Sequence, residues 1–405
     1  MNDFWVNYFN YPPFNENVMK LYRLNIYFFI LLFCLVACGS DQEPAPQPIK
    51  PIEKPKPVFS APDGPYLFHN ADGSVRMIGS DEAGYAIDTL FAAWPKDYAM
   101  QVVSHNKKHR FTVRLQPFER QPWKQESPEK LLVISDPHAN WECFLSVLQA
   151  NGVVDDNYAW KYGKNGLMII GDIFDRGDDA VTIFWLTYKL QQEARAAGGA
   201  VHFIIGNHES MILRNDLRYM TEKYTQIAAH FEMDYAKFFG ADTELGRWIA
   251  AGNTMQIIGD DLFVHAGLGE AFYKGDYTIP YVNEQISQGI FLDKDGRNKL
   301  SEHSEFLFSS SSSREGGPGP IWYRGMVGRD GEKPELDEAI LDALLERYDV
   351  KRIIVGHTIF PEVSFFYDGK VVAVNVDNKK NYDRLGSRGI LIEGNNTRII
   401  NDKGE

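Results

Sequence analysis

The chain has 405 residues, 44% of them hydrophobic and 13% aromatic, enough to bury a full core in one large or two medium domains. Its formal net charge of -13 excludes a duplex nucleic-acid binder that works through a broad basic surface, because nothing would replace the counterions around the phosphates. Its three cysteines, Cys34, Cys38 and Cys143, build neither a disulfide framework nor a cysteine zinc cluster.

Residues 1–38 read as a signal peptide. The run Leu24 to Ala37, LNIYFFILLFCLVA, holds about fourteen residues, short of the roughly 20 that a membrane-spanning helix needs. It ends in Leu35-Val36-Ala37-Cys38, which resembles a bacterial lipobox, with Cys38 as the lipidated residue and mature N-terminus. Met19-Lys20-Leu21-Tyr22-Arg23 supplies the positive start of a signal, whereas residues 1–18 contain no Lys or Arg, so translation is expected to begin at Met19. The expected address is the bacterial cell envelope, with the protein lipid-anchored on the periplasmic or surface side.

Residues 39–64 are proline-rich, as in QEPAPQPIKPIEKPKP, and read as an extended spacer, because proline fixes φ and removes a donor. Residues 65–125 read as small appended β elements. YLFH and SVRMIG flank a turn at Asn70–Gly73, and MQVVS and RFTVRL flank a turn at His105–Lys108.

From residue 126 to 405 the pattern is α/β. Five short, wholly apolar strands, LLVIS, LMIIG, VHFII, LFVH and RIIVG, alternate with helices, as in sheets covered on both faces. Helices are expected over Asn140–Asn151 and Leu336–Tyr348, and C-terminal hairpins at Asp368-Gly369 and Gly394-Asn395-Asn396. The stretch SSSSSREGGPGP (309–320) is too rich in Ser, Gly and Pro to pack and reads as a mobile loop or lid.

Each apolar strand ends in residues that bind metals: Asp136 and His138, Asp172, Asn207 and His208, His265, and His357. In α/β sheets such ends are where sites are built. Asp136 and His138 are two apart, so an extended backbone sends both side chains to one side, and the two oxygens of Asp172 suit it to bridge two ions. One Asp-x-His is weak evidence; five such pieces behind five strands are not independent accidents.

These motifs resemble the calcineurin-like metallophosphoesterases, in the branch of phosphoprotein phosphatases and diadenosine polyphosphate hydrolases. The resemblance runs from Leu131 to about Val376 and rests on Gly171-Asp172-Ile173-Phe174-Asp175-Arg176-Gly177, Gly206-Asn207-His208-Glu209, His265-Ala266-Gly267 and Gly356-His357-Thr358. It implies a four-layer α-β-β-α sandwich with two mixed sheets. It also implies one metal on Asp136, His138 and Asp172 and a second on Asp172, Asn207, His265 and His357, with a hydroxide between them for in-line attack. Manganese, iron and zinc all suit such mixed ligands. His208 and Asp175 are then the proton-transfer pair, and Arg176 and Arg324 hold the phosphate.

The sequence departs from the family pattern at Ala139, where a glycine is usual, and at Pro137 between the first two ligands. Many phosphodiesterases of the wider family read Gly-His-x-His, whereas Ile359 stands at the second position here, as in the protein-phosphatase type. The resemblance therefore implies hydrolysis of phosphate monoesters on phosphoproteins or phosphopeptides. A nucleotide or diadenosine polyphosphate hydrolase is the alternative, and a catalytically silent lipoprotein that only binds a partner is a third reading. Two basic stretches, Lys107–Arg110 and Leu213–Arg218, read as solvated faces.

Overall fold

A computed structural model describes residues 56–312, 317–328 and 332–404. The signal peptide, Met19, Cys38 and most of the spacer lie outside the described residues. Among those described, no helix is long and apolar enough to cross a membrane.

The first strands follow the turn chemistry. β1 (Asp63–His69), β2 (Val75–Ser80) and β3 (Ala86–Phe91) form an antiparallel sheet, and β4 (Ala99–Val103) pairs with β5 (Arg110–Arg114) as a hairpin. β3 was not expected, because its residues are half-buried or exposed and carry no alternation to read. Folded structure also begins before residue 65: β1 starts at Asp63, and the N–H groups of Val58 and Phe59 donate to the Gly84 carbonyl at 2.8 and 3.0 Å. The short strand β6 (Lys124–Gln125) closes this region.

Two larger sheets form the core. The first has β7 (Leu131–Ser135), β8 (Gly166–Ile170) and β9 (Ala200–Phe203) in parallel, in the order β16-β15-β7-β8-β9 with β15 (Gly389–Glu393) and β16 (Asn396–Ile400) antiparallel at the edge. The second contains β10 (Met255–Ile258), β11 (Asp261–Val264), β12 (Arg352–Val355), β13 (Ser364–Phe366) and β14 (Val371–Ala373), in the order β13-β14-β12-β11-β10-β6. β6 therefore belongs to the core rather than to the appended elements, pairing in parallel with β10.

The period-two pleat explains why these strands are largely apolar. Leu131, Val133, Met168 and Ile170 of the first sheet meet Ile258, Phe263, Ile354 and Val372 of the second in one buried layer. Their neighbours Leu132, Ile134, Leu167 and Ile169 point the other way, into a cluster shared with the helices Trp141–Ala150 and Ala180–Ala197. Within such a strand a buried polar residue needs a partner buried with it, as His202 of β9 has in Gln256 of β10 at 3.0 Å. The result is the expected four-layer sandwich of two mixed sheets between helices.

Caps set the helix limits. The Asn140 side chain accepts from the Cys143 N–H at the start of Trp141–Ala150. The helix expected from Leu336 instead begins at Glu338, because the Asp337 carboxylate takes the Ala339 N–H at 2.8 Å and caps it there. In the stretch 309–320 both ends are held: the Gly319 N–H donates to the Ser309 carbonyl, and the Pro320 carbonyl accepts from Ala266 and Gly267.

The C-terminal strands are fastened by Arg388. Its buried guanidinium pairs with Asp402 at 2.5 Å and donates to the Cys143 carbonyl at 2.6 Å, joining the last residues to the first core helix. Removing one partner of such a pair leaves the other charged and unpaired. Arg388→Ala should therefore lose about 3–5 kcal/mol in urea unfolding, whereas disrupting the exposed Arg76–Asp88 pair should change stability by less than about 1 kcal/mol.

Candidate active site

Asp136 and His138 follow β7, Asp172 follows β8, Asn207 comes after β9, His265 follows β11, and His357 lies just beyond β12. All six are brought together at one edge of the sandwich, four from the first sheet and two from the second. The chain reaches this arrangement by turning sharply: Asp136, His138, Asp172, Asp175, Arg176 and His357 have φ between 43° and 70°. Left-handed backbone costs roughly 1–2 kcal/mol per non-glycine residue, so the site carries strain at each of these turns. The extended geometry expected for Asp136 and His138 is thus replaced by two kinks, because β pairing stops at Ser135. The kinks are fixed by hydrogen bonds from Asp136 N–H to the Gly171 carbonyl and from His138 N–H to the Asp172 carbonyl, at 3.2 and 3.0 Å. Ala139, which stands where the family has glycine, is also left-handed, at φ 54°.

Two glycines allow the turns to meet. A Cβ on Gly206 would overlap Asp172 Oδ1, and one on Gly356 would overlap the Ser135 hydroxyl and lie 2.6 Å from Asp136 Oδ1. Both positions admit only hydrogen.

Asp172 lies at the centre. Its Oδ1 accepts the His208 N–H at 2.9 Å, so the other oxygen alone faces the imidazoles. Oδ2 is 3.2 Å from His265 Nε2, 3.8 Å from His208 Nε2 and 3.9 Å from His138 Nε2. Burial alone would raise the Asp172 pKa, but the imidazoles of His265 and His208 outweigh it and hold the carboxyl well below its usual range. Burial, followed by the Asp172 charge, pushes Asp136 up to about 6. His265 is lowered by burial and raised by Asp172, and the net result is a rise to about 9.

The donor atoms fit cations. His138 Nδ1 and His265 Nδ1 lie 2.9 Å from the carbonyls of Phe174 and Ile170, which directs an Nδ1 proton to the backbone and turns Nε2 inward. The Nε2 atoms of His138 and His357 are buried and have no hydrogen-bond partner among the described residues. Burial drives the pKa of His138 down to about 3 and that of His357 well below normal, so both imidazoles are neutral, as metal ligands must be. Donor atoms of His138, Asp172 and His208 lie within 4.8 Å of one another, as do those of Asp172, His265 and His357. Asp172 is common to both groups. Asn207 Oδ1 is 3.0 Å from His265 Nε2, and Asp136 Oδ2 is 3.8 Å from His138 Nε2.

His208 is buried and pairs with Asp175 through Nδ1 and Oδ2 at 2.5 Å. Burial lowers its pKa, but the charges of Asp172 and Asp175 outweigh this and raise it above the ordinary value. Arg176 is exposed at the rim and makes no side-chain hydrogen bond or ion pair with the described residues. Arg324 is half-buried, with Nη1 donating to the His357 carbonyl at 2.9 Å and to Thr358 Oγ1 at 3.0 Å. Two cations of the basic stretches are paired: Arg218 with Asp216, and Arg110 with Glu82.

Three residues escaped the sequence reading. Glu209 is fully buried, and its carboxylate accepts from the N–H groups of Asp172, Ile173 and Gly206 at 2.8–2.9 Å, clamping two of the ligand turns. It was visible only as the last letter of Gly-Asn-His-Glu. Asn375 donates to Asp136 Oδ2 at 2.8 Å, from a part of the chain with no recognisable motif. His105, in the appended hairpin, lines the cleft of about 370 Å³ that holds Asp136, His138 and Arg176. Its N–H donates to Asp179 at 2.7 Å, so the hairpin forms one wall of the site.

Residues 129–361 match the sequence model of the calcineurin-like phosphoesterases, more than half of the chain. The chain belongs to that family. It is 27% identical over 276 residues to Shewanella-like protein phosphatase 2 of Arabidopsis thaliana, covering 58% of this chain and 67% of that one. It is also 27% identical over 237 residues to Shewanella-like protein phosphatase 1 of Plasmodium berghei (strain Anka), covering 57% of this chain and 62% of the relative. The fold is similar to the crystal structure of a cold-active protein-tyrosine phosphatase from a psychrophilic Shewanella species. The TM-score is 0.73 at 29% identity, covering 85% of this chain and 98% of the other. This chain is a metal-dependent phosphatase of a family that typically binds two metal ions.

If Asp172 serves both ions, losing its charge should cost more than one. Elemental analysis after dialysis is expected to find about two ions per wild-type chain and fewer than about one in Asp172→Asn. Two retained ions in the mutant would disprove the shared-ligand arrangement.

Proposed function

We propose that this chain is a phosphoprotein phosphatase that removes phosphoryl groups from phosphopeptides and is lipid-anchored in the bacterial cell envelope. The observation that carries the catalytic reading is the convergence on Asp172 Oδ2 of two groups of buried donors, beside a His208–Asp175 pair and an exposed arginine. Asp136, His138 and Asp172 would hold one ion, and Asp172, Asn207, His265 and His357 the other; manganese, iron and zinc all suit these ligands. Bound there, the ions supply Lewis acidity and an activated water for in-line attack.

The remaining work falls to the protein. Arg176, with no side-chain partner among the described residues, offers a guanidinium fork to two phosphoryl oxygens, and Arg324 would add a second, its orientation set by the His357 carbonyl and Thr358. His208 keeps one proton on Nδ1 toward Asp175, so in the imidazolium form Nε2–H can protonate the departing alkoxide or phenoxide. Glu209 and Asn375 hold ligand turns in place and exchange no proton with substrate. The names of the relatives, protein phosphatases in three lineages and a tyrosine phosphatase among them, support a phosphopeptide over a nucleotide as substrate.

The anchoring part of the proposal rests on the apolar run, the sequence Leu35-Val36-Ala37-Cys38 and the proline-rich spacer that follows it. Labelled palmitate should enter the wild-type protein when it is expressed in bacteria, and Cys38→Ala should abolish the label; unchanged labelling would remove Cys38 as the acceptor.

The catalytic test is turnover of phosphotyrosine and phosphoserine peptides and a diadenosine polyphosphate, with Mn, Fe or Zn supplied in turn. Faster turnover of the peptides is expected, and preference for the dinucleotide would replace this reading with the nucleotide hydrolase. The pH profile tests the acid. The carboxylates raise the His208 pKa, so the imidazolium persists above its ordinary titration range and is lost as pH rises through the raised value. Asp175→Asn should move the alkaline limb of kcat to lower pH and reduce kcat by about 10²-fold at neutral pH.

A further inference from the structure

We propose that Tyr219 is a specificity-determining residue of this site, an aromatic shelf for the leaving group that favours aryl over alkyl phosphate esters. The inference rests on the phosphatase reading above and on the assignment of His208 as the leaving-group acid.

Tyr219 lies in the turn after the helix Asn207–Leu213, the helix that carries His208 in its first turn. Its ring centroid is 5.4 Å from that of His208, with the planes inclined at 44°. The burial of the two is opposite: His208 is 3% exposed and Tyr219 is 48% exposed. Among the described residues, His208 is the one ring in contact with it. The same residue borders the phosphate grip, because its backbone carbonyl accepts the Arg176 N–H at 3.2 Å.

The position follows from the chemistry. The oxygen that leaves phosphorus must come within roughly 2.6–3.2 Å of His208 Nε2 to receive its proton. Whatever is bonded to that oxygen would then extend from the imidazole toward solvent, past the exposed ring of Tyr219 beside it. In an aryl ester the ring carbon is bonded directly to that oxygen, so a π-system is carried past Tyr219 in reach of offset or edge contact. In an alkyl ester a methylene stands there and the stacking is lost. Arg176 is held by the Tyr219 carbonyl and not by its ring, so replacing the side chain tests recognition without removing that hydrogen bond.

The experiment compares kcat/KM for phosphotyrosyl and phosphoseryl peptides with identical flanks, using the full chain in detergent. Tyr219→Ala should reduce the phosphotyrosyl-to-phosphoseryl ratio about tenfold, and Tyr219→Phe should preserve it. Tyr219→Leu keeps an apolar side chain without a π face and should behave like the alanine variant. An unchanged ratio in both Ala and Leu variants overturns the proposal, as does an equal loss on both peptides. If the alanine variant does not fold, the Leu and Phe variants decide, and equal ratios in those two overturn it. Wild-type protein inactive on both peptides but active on a dinucleotide would instead sink the phosphopeptide reading on which the proposal stands.

Discussion

Everything at this site depends on how closely the strand ends approach Asp172. Gly206 stands where any side chain would collide with the Asp172 carboxylate, and Gly356 where one would collide with Ser135 and Asp136. With these contacts bare, turns from both sheets converge on one buried oxygen, Asp172 Oδ2. The apolar layer between the sheets, from Leu131 to Ile392, fixes the separation at which they do so. Packing well away from the chemistry thereby sets distances within it.

The electrostatics follow from that crowding. Buried carboxylates are tolerable only when charge or N–H donors face them, and each of these is satisfied differently. Asp172 has imidazoles, Asp136 has Asn375 and the His357 N–H, and Glu209 has four backbone donors from the turns it organises. Glu209 gives a reason for the left-handed backbone: its carboxylate collects N–H groups that those turns would otherwise leave unpaired. The strain at Asp172 and the burial of Glu209 are two halves of one arrangement.

The wholly apolar strands and the polar residue at the end of each were legible in the sequence, because both follow from local pattern. So were the helix at Trp141–Ala150 and both C-terminal hairpins. What was not legible was tertiary. β3 has no apolar alternation, β6 is two residues long and exists only because β10 is beside it, and Asn375 reaches Asp136 across 239 positions of chain. The extended path expected between Asp136 and His138 was a local rule overridden by hydrogen bonds to the neighbouring turn. The appended hairpin was readable as β structure, but nothing in its sequence said that His105 would stand at the cleft.

The candidate ligands are divided between the two halves of the sandwich: Asp136, His138, Asp172 and Asn207 on one sheet, His265 and His357 on the other. An ion held by Asp172 and His357 would therefore act as a rivet through a seam otherwise closed by apolar burial and a few hydrogen bonds, such as those from His357 N–H and Asn375 to Asp136. Binding energy spent there is also cohesion of the fold, through the ordinary linkage between ligand and folded state. Scarcity of metal in the surroundings would then be felt twice, as lost turnover and as a seam more easily opened by proteases. The lifetime of the protein would thus be tied to the same ions as its chemistry.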